Sequence, residues 1–290
     1  MELINIDSLN TEKTGAELFK DCFVDLDRPL KKLDVLLFYG FDEKNRRCAA
    51  ITRGEYSCIV APAKQKKSFN KSLMVAAYIG GNANEYTNHI YNENRGDGYI
   101  IDLDTEQGEY YAQKTFQRVE RLVGARYKHY IPLESRKKSV DERIRLIDFV
   151  VYESPFKGKI DLIIVDGIAD LVHNTNDIEA GAKLAEKMLK WTGEGNLHMS
   201  LIIHKVSGAD KARGHLGTAV TIKAETLIFM DPIVDENNKI IEQNTVKIRC
   251  GYVRGLPFQD FYLSINTDGL PFTTDDYNGF TDTNTKEIAF

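Results

Sequence analysis

Short apolar runs alternate with amphipathic stretches through the middle of the chain. The series opens with Cys58-Ile59-Val60, and a helix is expected over residues 69–79 after a lysine-rich turn. Tyr99-Ile100-Ile101-Asp102 comes next, followed by a helical pattern over 109–123. A short strand at 130–132 precedes a helix over 140–152, in which Ile144, Ile147 and Val151 recur at helical spacing on one face. Leu162-Ile163-Ile164-Val165 is unbroken in its apolar character, as expected of a central strand covered on both faces. A helix over 177–191 is expected to turn Ile178, Ala182, Leu184, Ala185 and Leu189 inward, and Leu201-Ile202-Ile203 is the next strand. Strands and helices that alternate at this spacing predict an α/β fold with a mostly parallel sheet.

From about residue 224 the texture changes. Apolar runs at 226–230, 246–252 and 258–265 follow one another with no helical pattern between them. They are expected as antiparallel strands added at the C-terminal edge of the sheet. Residues 1–50 read as an N-terminal extension with one hydrophobic patch at 35–39, residues 51–266 as the core, and residues 267–290 as a C-terminal tail rich in Asp, Thr, Asn and Gly.

Composition narrows the setting. With 290 residues, 42% hydrophobic and 28% charged, the chain is long enough to bury a substantial core. A net charge of -5 gives no global drive toward nucleic acid, so any DNA contact has to come from a local basic loop or a channel formed by assembly. Cys22, Cys48, Cys58 and Cys250 are isolated, without metal-ligand spacing, which suits a reducing compartment. The first residues carry no secretion-signal pattern and the apolar runs are too short for a bilayer. A cytoplasmic protein with no membrane partner is expected.

Four segments carry candidate chemistry. Ala61-Pro62-Ala63-Lys64-Gln65-Lys66-Lys67-Ser68-Phe69 lies between the first strand and its helix, the layout of a phosphate-binding loop. In such a loop, backbone N–H groups wrap the phosphates, a lysine neutralises them and a hydroxyl ligates Mg²⁺. Lys67 and Ser68 match that pattern, while Ala61 and Lys66 stand where glycines are usual. The competing reading is a solvated basic turn. Asp104-Thr105-Glu106 ends the next long strand with a carboxylate placed to orient and deprotonate water, against the alternative of an ordinary acidic turn. Leu162-Ile163-Ile164-Val165-Asp166-Gly167 has the Walker B form, in which the aspartate holds Mg²⁺. Leu201-Ile202-Ile203-His204 then delivers a histidine to a strand end, where it can sense a γ-phosphate. A basic loop with Lys205, Lys211, Arg213 and His215 follows it.

Taken in order, Lys67-Ser68, Asp104-Thr105-Glu106, Asp166-Gly167, His204 and Arg213-Gly214 resemble the RecA-like ATPases. The set looks closest to the RepA-type and DnaB-type hexameric replicative helicases and their relatives on plasmids and mobile elements, over roughly residues 50–265. The resemblance implies a three-layer α/β/α RecA-like domain with ATP and Mg²⁺ as cofactors. It implies Glu106 as catalytic base, residues 61–69 as the nucleotide-binding loop, Ser68 and Asp166 on the metal, and His204 as the polar residue ending the next strand. Arg254, in Tyr252-Val253-Arg254-Gly255, fits the arginine that reaches a neighbouring subunit's nucleotide. Single-stranded DNA is the expected partner, gripped by Lys205, Lys211, Arg213 and His215 and by the loop at 172–175, in a hexamer or filament of identical chains. The departure from the family is the loop without glycine. It leaves open a non-hydrolysing assembly protein on the same scaffold, and a metabolic P-loop kinase is a weaker alternative.

Overall fold

The computed structural model describes residues 13–93, 96–206 and 209–277. The chain divides into two units, Met1–Leu33 and Asp34–Phe290. In the first, helix α1 (Gly15–Cys22) is opened by a capping box, in which Thr14 and Glu17 satisfy each other's backbone amides.

The second unit holds two sheets. The apolar patch at 35–39 becomes strand β1 (Val35–Phe41), which pairs antiparallel with β2 (Arg47–Thr52) and β4 (Ile90–Tyr91). Regular structure therefore starts inside the stretch expected as an extension. The larger sheet has nine strands, in the order β12-β11-β10-β9-β3-β8-β7-β5-β6. Its parallel part comprises β3 (Tyr56–Ala61), β5 (Tyr99–Asp104), β6 (Tyr130–Glu134), β7 (Ile160–Asp166), β8 (His198–His204) and β9 (Thr226–Val234). Strands β10 (Ile240–Val253), β11 (Phe261–Ile265) and β12 (Pro271–Thr274) extend it antiparallel. β12 lies within the segment expected as a tail.

Helices α2 (Lys67–Ile79) and α3 (Glu109–Val123) pack on one face, and α4 (Val140–Tyr152), α5 (Ile178–Gly195) and α6 (Gly214–Lys223) on the other. The face follows from the direction of travel. Crossovers β3→β5 and β5→β6 move one way along the sheet, whereas β6→β7, β7→β8 and β8→β9 move back, and right-handed crossovers then require opposite faces. Each strand supplies both cores by alternation: Ile59 and Ala61 face one cluster, Cys58 and Val60 the other. Cys58 is a buried core residue, and burial raises its thiol pKa.

Two expectations are corrected here. The strand at 226–230 is not an antiparallel addition, because β9 runs parallel to β3 with Ser57 opposite Thr226. Helix α6 makes that crossover, and its sequence, GHLGTAVTIK, lacks the charged face that marks an amphipathic helix. In α5 the buried stripe is Gly181, Leu184, Ala185, Met188, Trp191 and Thr192, while Ile178, Ala182 and Leu189 face outward. The stripe turns on Gly181, where a Cβ would come within 3.1 Å of Leu216 Cα. Close approach of α6 decides the inward face, and hydrophobicity alone does not reveal it.

Candidate functional site

Parallel strands bring their carboxyl ends to one rim of a sheet, where binding crevices form. The register fixes the order along this rim. Ala61 lies opposite His204, Asp166 opposite Ile202, and Asp104 opposite Asp166. The loop after β3, His204, Asp166 and the Asp104–Glu106 turn are therefore neighbours across four adjacent strands.

Two lysines of the loop stand in the left-handed region, one of them at a position where glycine is usual. Lys64 has φ 62° and Lys66 φ 51°. Each such residue costs about 1–2 kcal/mol, a strain that persists only where the surroundings enforce it. Lys66 is the N-cap of α2, and no side chain among the described residues caps that helix. Its first-turn amides therefore point at the rim without a side-chain acceptor, an arrangement that favours an anion.

Lys67 Nζ lies 3.1 Å from His204 Nδ1 and 3.4 Å from Pro62 O. An ammonium only donates, so Nδ1 accepts and the ring proton sits on Nε2. That proton is directed at Glu106 Oε1, 3.3 Å away. Lys67, His204 and Glu106 thus form one hydrogen-bonded chain across the rim. Burial pulls the Lys67 pKa down, opposed by Glu106 and Asp166. The hydrogen bond from His204 holds the Glu106 pKa below its ordinary value, against burial, with the charges of Lys67 and Lys71 assisting.

The turn that presents Glu106 is built by its neighbours. Asp104 accepts the amides of Glu106 at 3.0 Å and Gln107 at 2.8 Å, and the Gln107 side chain at 2.8 Å. Thr105 N donates to Asp166 O at 3.1 Å, and its hydroxyl lies 2.8 Å from Asp170 Oδ2. Gly167, at φ 107°, lets this turn close on the end of β7, since a Cβ there would stand 2.2 Å from Thr105 Oγ1 and 2.8 Å from Glu106 Cγ.

Beneath the rim lies a charged cluster that the motif reading missed. Lys71 Nζ, fully buried, sits 3.1 Å from Asp102 Oδ1, 3.1 Å from Asp166 Oδ2 and 3.8 Å from Asp104 Oδ2. At these distances the lysine forms ion pairs with all three carboxylates. Burial alone would lower the lysine pKa, yet Asp102, Asp166 and Asp104 raise it overall. Burial raises the pKa of both Asp102 and Asp104, with Lys71 opposing. The signal was available as spacing. Lys71 is four residues beyond Lys67 on one helix face, and Asp102 precedes Asp104 by two on one strand face.

Arg118 is a second missed residue. It stacks over Phe69 at 3.8 Å from the ring centroid and donates to Ser68 O at 3.2 Å and Ser72 Oγ at 3.3 Å. Burial lowers its pKa to about 10. It braces the first turn of α2 from the side of α3.

The basic loop divides. Lys205 is not free for DNA. It pairs with Asp231 and, at 2.8 Å, with Asp210, and its ammonium lies over Phe229. Arg249 joins the same two carboxylates at 3.0 and 2.9 Å. Lys211, Arg213 and His215 are exposed, and Arg213 N donates to His204 O at 2.9 Å, tying this segment to the rim. His215 lies in the first turn of α6 rather than in a loop. In the loop at 172–175, His173 is exposed and 3.8 Å from Asp141.

Arg254 lies elsewhere. It follows β10, whose Val253 pairs with Thr226 at the start of β9, and it forms a 2.8 Å ion pair with Glu55 just ahead of β3. That is the amino-terminal rim, about 20 Å from the loop by strand rise. One chain does not bring Arg254 to Lys67 and Glu106.

No protein-family model matches the chain, and no curated protein is significantly similar to it. Among the described residues no helix is long and apolar enough to cross a membrane.

Proposed function

We propose that this chain is a RecA-like P-loop ATPase of the RepA/DnaB type that acts on single-stranded DNA as an assembly of identical chains. The observation that carries the reading is the chain Lys67–His204–Glu106, at 3.1 and 3.3 Å, lying beside Asp166 at the carboxyl ends of adjacent parallel strands. A solvated basic turn has no reason to meet a strand-end histidine and, through it, a carboxylate.

In this reading the amides of the loop and Lys67 bind the β- and γ-phosphates of ATP. Ser68 and Asp166 would hold Mg²⁺, which when bound neutralises charge on the phosphate oxygens. Among the described residues no group of three or more His, Cys, Asp or Glu side chains is arranged to hold a metal by itself. Mg²⁺ bound through one carboxylate, a hydroxyl, phosphate oxygens and water needs none, so the residues fit. Glu106, kept ionised by His204, orients and deprotonates the attacking water. His204 bridges the phosphate-binding lysine and that base, so a change at the γ-phosphate reaches both. Arg254 serves a nucleotide only across a subunit boundary. Lys211, Arg213 and His215 are the DNA-facing groups, and Lys205 anchors the segment through Asp210 and Asp231.

The test pairs two substitutions. Lys67→Ala is expected to abolish binding of a fluorescent ATP analogue. Glu106→Gln is expected to keep that binding and lose phosphate release. A Glu106→Gln protein that hydrolyses ATP at the wild-type rate refutes the assignment of the base. The second reading, a nucleotide-binding assembly protein that does not hydrolyse, is favoured by Lys66, a side chain held in the left-handed region where glycine would give a phosphate closer access to the backbone. It predicts no phosphate release from the wild type, with or without single-stranded DNA.

A further inference from the structure

Three aspartates from two strands face one another beneath the rim, and a lysine occupies the space between them. Asp102 and Asp104 share a face of β5 because they are two residues apart, and the register places Asp166 opposite Asp104. Carboxylates gathered in this way make a hard-cation site when nothing else stands between them. Here Lys71 stands between them, delivered by α2 one turn beyond Lys67.

The three carboxylates are not held alike. Asp102 also accepts the Tyr130 hydroxyl at 2.7 Å. Asp104 is fixed by the Gln107 side chain and the amides of Glu106 and Gln107. Among the described residues, the Asp166 carboxylate has Lys71 as its ion-pair partner, at 3.1 Å, and no second side-chain partner like those of Asp102 and Asp104. The lysine therefore decides how that carboxylate is presented to the rim. Three carboxylates and one ammonium also leave two formal negative charges, which a divalent cation balances. The ammonium meanwhile repels any cation that enters without phosphate oxygens to help hold it.

We propose that Lys71 is a positioning residue that orients Asp166 and makes metal entry depend on phosphate. It occupies the acidic floor as a permanent counter-cation, so a divalent ion binds at Asp166 only together with a nucleotide. The second half rests on the P-loop reading of the site. The first half does not.

Mn²⁺ binding without nucleotide, followed by electron paramagnetic resonance, tests this on the whole chain. The wild type is expected to bind Mn²⁺ weakly, and Lys71→Met to bind it at least about tenfold more tightly, since a like charge a few ångströms away is worth more than that factor at interior dielectric. Adding Asp166→Asn to Lys71→Met is expected to remove the gain. A merely structural lysine predicts lower stability and no gain in affinity. A cooperatively melting Lys71→Met protein with wild-type Mn²⁺ affinity overturns the proposal. If that variant does not fold, Lys71→Met with Asp102→Asn removes one charge of each sign and is judged by the same comparison with the wild type. Because no nucleotide is present, a negative result here is distinct from failure of Lys67→Ala to lose ATP binding.

Discussion

Lys66 is the residue whose conformation most directly tests how the loop is built. It holds φ 51° and ψ 23° at the N-cap of α2, where glycine is the usual occupant of such a turn. Lys66→Gly removes the clash between Cβ and the following carbonyl, a gain of about 1–2 kcal/mol. The more flexible unfolded chain takes back about 0.4–1 kcal/mol. The net is a stabilisation of about 1 kcal/mol, or roughly 2–4 °C in Tm for a chain of this size. Lys66→Ala is the control, because it removes the same ammonium and keeps the Cβ. Both substitutions discard whatever charge interaction Lys66 has with Glu242, which opposes the burial-driven fall of its pKa. The difference between the glycine and alanine proteins is therefore the backbone strain less the unfolded-chain cost of glycine. Chemical denaturation of the three proteins gives it directly. If the alanine variant unfolds at a higher denaturant concentration than the glycine variant, Lys66 is not strained and the account of the loop is wrong.

Two further outcomes follow from individual groups. His198 is fully buried, donates from Nδ1 to Thr52 O (2.7 Å) and accepts at Nε2 from the Ser57 hydroxyl (2.9 Å), and burial lowers its pKa from 6.5 to about 4. Below about 6.5 the unfolded chain takes a proton that the folded one refuses, so this contribution is present above that pH and falls away down to about 4, by a few kcal/mol at most. Glu225, 3.9 Å from His198, has its pKa raised by burial and works in the opposite sense near the lower end of that window. His198→Gln is expected to flatten stability against pH between these limits, measured as the difference from the wild type so that Glu225 is common to both. On single-stranded DNA, Lys211→Ala and Arg213→Ala are each expected to reduce the slope of log affinity against log salt by about 0.7, with Lys205→Ala leaving it unchanged. An equal loss of slope in the Lys205 protein contradicts its role as an anchor.

Much of the fold was legible because it rests on local periodicity. The helices over 109–123 and 140–152 coincide with α3 and α4. Continuous apolar runs marked β7 and β8, since strands buried on both faces have no polar side to show. Helix α6 escaped because its interior contains glycine and small residues chosen for close packing against α5. The turn of α5 that faces inward was misjudged for the same reason. Within the candidate site, Glu106, Asp166 and His204 were legible from positions at or just beyond strand ends, and Lys67 from the strand–loop–helix layout. Lys71 was not, because a buried lysine is an improbable reading of any single segment.

By itself the amino-acid sequence determined the elements, their alternation and the order of the strand-end residues, because these depend on neighbours a few positions apart. Only the tertiary structure decided which of them meet. Strand β8 inserts beside β3, and that pairing places His204 between Lys67 and Glu106. The register of β5 on β7 gathers three aspartates about one lysine, and the β9–β10 pairing carries Arg254 to the far rim. Charge at long sequence separation obeys distance in space, and no spacing along the chain encodes that distance.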